Sequence, residues 1–125
     1  CFSYGIMNMH PGDIPINRGL DNFKWALVNQ YPMTVTSHLI SDKIDLGRII
    51  MKSTIDVYKN DTVYDFSARH FYNEFKIMIN SLKYLGRNHK LTNVVDKGNY
   101  NSPLPHNIDK NIEYYFNTYK KKFSI

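Results

Sequence analysis

The chain has 125 residues, of which 42% are hydrophobic and 22% are charged, and these are the proportions of an ordinary globular protein. This length predicts a single domain over residues 1–125 with a modest core. A single cysteine, Cys1, excludes an internal disulfide and favours a reducing compartment, the cytoplasm. No apolar run is long enough to span a bilayer, and no signal-peptide pattern occurs, so no membrane partner is expected.

The formal net charge of +5 would suit either a nucleic acid or an anionic small substrate. The run of three lysines at 120–122 is more typical of a solvated helix face than of a phosphate site. Basic and aromatic residues do not alternate as they do in grooves for single strands, so we expect no nucleic-acid partner.

The first half of the chain alternates strand and helix patterns. An apolar stretch over residues 2–9 predicts a short strand buried on both faces, as in a central parallel strand. Turn-forming residues predict a loop over 11–19, and a helix capped by Asp21 or Asn22 is predicted to end at Asn29. β-Branched residues then predict a hairpin, with strands over 34–40 and 48–57 and a turn between them.

The second half is predicted to be mainly helical. A helix over residues 63–85 is expected to begin at a cap among residues 60–62 and to end at Gly86. Its apolar stripe is expected to face the core: Tyr64, Ala68, Phe71, Phe75, Met78, Leu82 and Leu85. Residues 87–105 are expected to be irregular. Asp109 is expected to cap a last helix with one apolar face: Ile112, Tyr115, Phe116 and Tyr119.

Asn8 and His10 are the first candidate site residues. Because strand side chains at i and i+2 point to the same face, they should lie side by side at a strand end. Asp45 follows in a turn and could face them. An amide donor, an imidazole and a carboxylate suit acyl transfer, in which an oxyanion develops and protons move. A zinc site from His10, His38 and Asp45 is a much weaker alternative.

The order of these motifs resembles folate-dependent formyltransferases. The resemblance lies in Asn8-Met9-His10-Pro11-Gly12, Ile14-Pro15 and Arg18-Gly19, and then in the segments WALVNQ, TVTSHLI and IDLGRII. It covers residues 6–55 well and residues 57–105 weakly, although NYNSPLP at 99–105 looks like a family segment near the substrate.

The resemblance implies an α/β fold, namely the C-terminal half of a Rossmann-like formyltransferase domain with a mixed sheet and flanking helices. The family's N-terminal half would then be absent from residues 1–125. We therefore expect the chain to need a neighbour, either a missing N-terminal segment or a second copy in a homo-oligomer.

The resemblance also implies catalysis by Asn8, His10 and Asp45, with N10-formyltetrahydrofolate as the formyl donor and an amine as the acceptor. Asn8 and a protonated His10 would stabilise the oxyanion, and Asp45 would orient His10 and take the proton of the amine. The turn before Asp45 would help to hold the pterin: Ser41, Asp42, Lys43 and Ile44. Arg18 is expected to be loop scaffold rather than a ligand contact, and no metal is implied.

The acceptor is expected to be an amino sugar linked to a nucleotide. The chain has no room for the C-terminal β-barrel of the tRNA-formylating enzymes, and Arg18 before Gly19 is unusual for those that formylate glycinamide ribonucleotide. Two alternatives stay open. One is hydrolysis of formyltetrahydrofolate, and the other is an inactive formyltransferase-like fragment with a role in assembly.

Overall fold

The α/β fold class is confirmed by a computed structural model, which describes residues 5–87, 90–94 and 98–125. The elements in chain order are β1 (Met7–His10), β2 (Asn17–Gly19), α1 (Asn22–Asn29), β3 (Thr34–Leu39), β4 (Ile49–Thr54), α2 (Val63–Leu85), β5 (Asn99–Asn101), α3 (His106–Asp109) and α4 (Ile112–Phe123). No helix in these described ranges combines the length and apolar character needed to cross a membrane.

The strands form two sheets instead of one mixed sheet. The larger sheet has the order β1-β3-β4 and is antiparallel throughout, whereas β2 and β5 form a parallel pair. The hairpin predicted for β3 and β4 is confirmed. Its two strands pair from Thr34 opposite Thr54 to His38 opposite Ile49, with a bulge after Ser37.

The start of the chain differs from the predicted central parallel strand. Among the described residues, β1 begins at Met7, pairs antiparallel with β3 and lies at the edge of its sheet. It is only half-buried until His10, and residues 2–4 of the predicted strand lie outside the described part. A short apolar run shows that a strand is favourable, but it does not specify which neighbour the strand will pair with.

The core lies where α1, α2 and α4 meet the larger sheet. Its centre is an aromatic cluster in which the Phe66 ring lies 5.6–5.8 Å from the rings of Phe23, Phe116 and Tyr119. The predicted apolar face of the last helix is therefore confirmed. Its predicted cap was wrong, because Asp109 belongs to α3 and pairs with Lys24 at 2.8 Å.

The ends of α2 were predicted correctly. Thr62 and Asp65 form a reciprocal capping box, in which each side chain accepts from the other residue's backbone N–H. The helix ends at Gly86, which has ordinary right-handed angles instead of the left-handed ones that favour glycine.

The face of α2 that packs against the core is not the predicted stripe. The buried residues are Phe66, His70, Ile77, Ser81 and Leu85. In the predicted stripe Tyr64 is 80% exposed, Phe71 61% and Leu82 56%. Only Leu85 belongs to both sets. The core side includes polar groups that an apolar count discards, such as Ser81, whose hydroxyl lies 2.6 Å from that of Ser37.

Candidate active site

The end of β1 presents Asn8 and His10 to the same neighbour, His38 of β3. Asn8 lies opposite His38 in the antiparallel register, and its Nδ2 donates to His38 Nε2 over 3.2 Å. The rings of His10 and His38 meet edge to face, with centroids 6.3 Å apart. The predicted shared orientation of Asn8 and His10 thus agrees with the geometry at the strand end.

His10 is 2% exposed and is held from both sides of its ring. Nε2 lies 2.7 Å from the carbonyl oxygen of Asn17. A carbonyl only accepts, so Nε2 carries a hydrogen. Nδ1 faces Asp45 Oδ1 at 3.5 Å, which is beyond a good hydrogen bond but within ion-pair range. A second proton on this ring would therefore lie between Nδ1 and the Asp45 carboxylate.

Asp45 is fixed by its backbone as well as by its contacts. Its φ of 51° is left-handed, a conformation that non-glycine residues adopt uncommonly and that often marks functional positions. Its Oδ2 accepts the backbone N–H of Gly19 at 3.1 Å, which leaves Oδ1 for His10. The carboxylate is therefore aimed at the imidazole.

His38 is a further member of this cluster, which the sequence analysis named only in the weaker zinc alternative. An amide nitrogen only donates, so His38 Nε2 must accept from Asn8 and the ring proton lies on Nδ1. Nδ1 makes no hydrogen bond of good geometry among the described residues, although the Leu39 backbone is close. Burial, and secondly nearby His10, lower the pKa of His38, which favours this neutral form.

The turn predicted to hold the pterin is exposed and lies directly before Asp45. It is tightened by the Ser41 hydroxyl, which donates to the Lys43 carbonyl at 3.1 Å. Ile44 is 66% exposed, and its carbonyl accepts from Arg18. Within the described residues, no group of three or more His, Cys, Asp or Glu side chains is placed to hold a metal ion.

An open, mainly apolar cavity of about 340 Å³ adjoins Pro11, the residue after His10. It lies between α1 and α2, and its lining includes the carboxylates of Asp21 and Glu74. Two side chains of the lining, Asn22 and His70, each have one buried polar atom without a hydrogen-bond partner in the described structure, but these atoms are inaccessible to solvent. Carboxylates accept hydrogen bonds, so the cavity suits a ligand that brings hydrogen-bond donors.

The basic C-terminal run makes internal contacts. Lys120 donates to the Asp61 carbonyl at 2.9 Å, and Lys122 donates to the Gln30 carbonyl at 3.2 Å. These bonds hold α4 against two loops. Two of the three lysines therefore have partners within the protein, and no bound phosphate is needed to explain them.

Comparison with known proteins agrees with the resemblance seen in the motifs. The sequence profile described as "Formyl transferase" matches residues 1–82. The GDP-perosamine N-formyltransferase of Brucella melitensis is 30% identical over 66 residues, which are 52% of this chain and 26% of that protein. Other relatives of similar identity are phosphoribosylglycinamide and methionyl-tRNA formyltransferases.

Solved structures show the same fold. A 4-N formyltransferase from Francisella tularensis superposes with a TM-score of 0.66 at 28% identity, over 77% of this chain and 40% of its own. The formyltransferase PseJ from Anoxybacillus kamchatkensis, solved with UDP-4,6-dideoxy-4-formamido-L-AltNAc and tetrahydrofolate, superposes with a TM-score of 0.68. It is 23% identical over 88% of this chain and 56% of its own, so it supports the fold alone.

The chain thus spans between about a quarter and just over half of these proteins' length, for example 36% of the Haemophilus influenzae phosphoribosylglycinamide formyltransferase and 40% of the Francisella enzyme. The profile match covers more than half of the chain and includes every residue of the cluster around His10. The chain belongs to the formyl transferase family.

Proposed function

We propose that this chain is part of a catalytic domain that transfers a formyl group from N10-formyltetrahydrofolate to the amine of an amino sugar linked to a nucleotide. The observation that carries the proposal is His10. Its ring is held between the Asn17 carbonyl and Asp45, with Asn8 on the same strand face, in a chain of this family.

Each role follows from the chemistry of the formyl group. When the amine attacks the formyl carbon, the carbonyl oxygen becomes an oxyanion. The Asn8 amide would donate to that oxygen. His10 would donate to it as well once its Nε2 hydrogen, which the Asn17 carbonyl accepts in this structure, turns to the oxyanion as substrate binds. One such preorganised donor contributes about 3–4 kcal/mol. The amine is itself the nucleophile, so no covalent enzyme intermediate is needed.

Asp45 handles the proton that the amine loses. Its Oδ1 is already directed at His10 Nδ1, and catalytic hydrogen bonds that are long in a free enzyme often shorten when substrate binds. Asp45 would orient the His10 ring and accept the amine proton directly or through a water. The tetrahedral intermediate then collapses: the carbonyl re-forms, the bond from the formyl carbon to N10 breaks, and N10 receives the proton from Asp45, directly or through a water, so that tetrahydrofolate is released.

The formyl donor is proposed to lie on the turn Ser41, Asp42, Lys43 and Ile44. Two observations support this place. The turn leads directly into Asp45, and it carries two exposed apolar side chains, Ile40 at 53% and Ile44 at 66%. These would cover the flat face of a pterin while backbone groups bind its edge.

The acceptor is proposed to bind with its polar part in the cavity beside Pro11. The carboxylates of Asp21 and Glu74 line this cavity and would accept from the hydroxyl groups of a sugar. The Brucella relative acts, by its name, on a nucleotide-linked amino sugar, whereas other relatives act on different amines. The family alone does not fix the acceptor, so the choice depends on this cavity and on the basic net charge.

We also propose that residues 1–125 are one part of a domain that further formyltransferase sequence completes. The chain spans only 26–56% of the relatives named above. In addition, α2 carries a mostly exposed apolar seam, defined as Tyr64, Ala68, Phe71, Phe75, Leu82 and the half-buried Met78. The apolar surface of this seam is on the order of several hundred Å², which is large for a single exposed patch on a monomer. A second copy of the chain is the competing occupant. The single cysteine supports a cytoplasmic location.

Formyl transfer is tested by incubating the chain with N10-formyltetrahydrofolate and a panel of nucleotide-linked amino sugars, followed by mass spectrometry. We expect a mass gain of one formyl group that is lost in Asn8→Ala and His10→Ala. The exposed Asn80 and His106 provide matched controls, since Asn80→Ala and His106→Ala should retain transfer. Tetrahydrofolate release without an acceptor would instead support the hydrolase. A folded chain with neither signal would support the inactive fragment.

The proposed neighbour is tested by light scattering after size exclusion, together with binding of a hydrophobic dye. If the chain is a monomer that binds dye, and the double variant Phe71→Ser and Phe75→Ser no longer binds it, the result supports a segment outside this sequence that covers the seam. A dimer that the same variant dissociates would contradict this proposal and identify a second copy as the occupant. A dye-free, sharply melting monomer would refute both occupants. Cell fractionation tests the location.

A further inference from the structure

The three residues of β2 each hold a different part of the candidate site. The carbonyl of Asn17 accepts from His10, and the N–H of Gly19 donates to Asp45. Between them, Arg18 Nη1 donates to the carbonyl of Ile44 at 2.7 Å. One short strand thus contacts the imidazole, the carboxylate and the turn that precedes the carboxylate.

The burial of Arg18 at this position lowers the stability of the fold. Its guanidinium is always charged, yet the residue is only 9% exposed. Nη1 makes the bond to Ile44, the ring of Tyr100 lies 5.8 Å away, and Nε has no hydrogen-bond partner among the described residues. Burying a charge with so few partners costs stability. A residue kept only for packing would be served better by an apolar side chain.

β5, which lies about 80 residues later in the sequence, pairs with β2 and fixes its position. The two strands pair in parallel, with Arg18 opposite Tyr100 and Gly19 opposite Asn101. Asn101 Nδ2 also donates to Asn17 Oδ1 at 2.6 Å, and its carbonyl accepts the N–H of Leu20 at 3.0 Å. A Cβ on Gly19 would overlap the Asn101 backbone, so only glycine allows this approach. The place of Arg18 is therefore set from both sides.

We propose that Arg18 is a positioning residue of formyl transfer. It fixes the turn over residues 41–44 so that Asp45 stays within reach of His10, and β5 keeps Arg18 in place to do so. This role rests on the proposed function, because it acts through Asp45 and the donor turn. Arg18 touches neither the formyl carbon nor the amine.

Two substitutions separate this role from simple packing. Arg18→Met keeps an unbranched apolar stem but has no donor for the Ile44 carbonyl, so the turn is released. Small displacements of a catalytic group cost on the order of 100-fold in rate, so we expect kcat to fall by about that factor and the donor KM to rise. Only one guanidinium nitrogen of Arg18 bonds the Ile44 carbonyl, so the single ammonium group in Arg18→Lys can replace that donor and also keeps the charge. This variant should therefore have a kcat at least about ten-fold higher than Arg18→Met.

A readout on the free protein keeps this test independent of activity. Hydrogen exchange of the amides at 42–46 should accelerate about ten-fold or more in Arg18→Met and return towards normal in Arg18→Lys. Arg48, an exposed arginine at the other end of the same turn, provides the control, and Arg48→Met should change neither exchange nor kcat. Thermal melting reports whether each variant is folded.

The outcomes distinguish the two proposals. If the unsubstituted chain transfers no formyl group, the proposed function fails and this role fails with it, whatever the exchange shows. If transfer occurs but Arg18→Met leaves exchange at 42–46 and kcat unchanged, only the role of Arg18 is refuted. Should Arg18→Met unfold, Arg18→Lys decides. A folded lysine variant that loses about 100-fold in kcat and exchanges the amides at 42–46 about ten-fold faster would overturn the role. Near-normal values of both would support it.

Discussion

Phe66 and Phe71 of α2 provide a matched test of which helix face forms the core. Phe66 is fully buried among three aromatic rings, whereas Phe71 is 61% exposed and its ring pairs with that of Phe75 at 5.0 Å. Both lie in the same helix, so the gain in helix propensity on change to alanine is the same for both and cancels in the comparison.

Phe66→Ala should lower the free energy of unfolding by about 3–5 kcal/mol, the usual cost of a large aromatic cavity. Phe71 buries about two fifths of its surface. A fully buried phenylalanine contributes about 1.5–3 kcal/mol of transfer free energy, so Phe71→Ala should cost roughly 1 kcal/mol. Phe66→Ala should thus be the more costly change by at least about 2 kcal/mol.

Urea unfolding followed by far-UV circular dichroism measures both values, at two protein concentrations. Equal costs at low concentration would refute the assignment of the core face. A cost for Phe71→Ala that grows with concentration would have a different meaning, because it would show that the seam is covered by another molecule.

Three further predictions concern single groups. Gly47→Ala places a Cβ on the backbone of β3 and should cost about 1–3 kcal/mol of unfolding free energy in urea, and unchanged stability would contradict the close approach. Tyr119→Phe leaves the buried N–H of Met33 without its acceptor and should cost about 1–3 kcal/mol, whereas the exposed Tyr114→Phe should cost almost nothing. His38 has a lowered pKa, so the unfolded chain binds its proton first as the pH falls through the usual value of 6.5. Unfolding free energy should therefore decrease as the pH falls below that value, and this decrease should be smaller in His38→Gln.

The sequence predicted the regular elements well where a local signal determined them. α2 has the predicted bounds because the Thr62 cap and Gly86 act within a turn of its ends. The hairpin of β3 and β4 follows from β-branched runs around a turn. Membership of the formyl transferase family was readable from residues 8–47, since spaced motifs do not depend on tertiary packing.

The choice of core face on α2 could not be read in the same way. The helix carries two stripes, and hydrophobicity favours the wrong one. The buried stripe holds His70, whose Nδ1 lies 3.3 Å from Glu74 one turn along the same helix, and Ser81, whose hydroxyl meets that of Ser37 in β3. The exposed stripe is more apolar, but it has no counterpart among the described residues. An apolar pattern predicts that a face is covered and does not say by which part of a protein.

The candidate catalysts were predictable but the group that holds them was not. Asn8, His10 and Asp45 were found by residue type and spacing, whereas β2 acts mostly through a carbonyl and an N–H that every residue but proline carries. Strands of three residues leave no periodic signal, and the partner of β2 is some 80 residues distant. A site of this kind should therefore be most sensitive, outside its catalysts, to changes in β2 and β5 that alter backbone position. Changes of side-chain chemistry at exposed positions of the donor turn should matter less, except where they remove the apolar cover of Ile44.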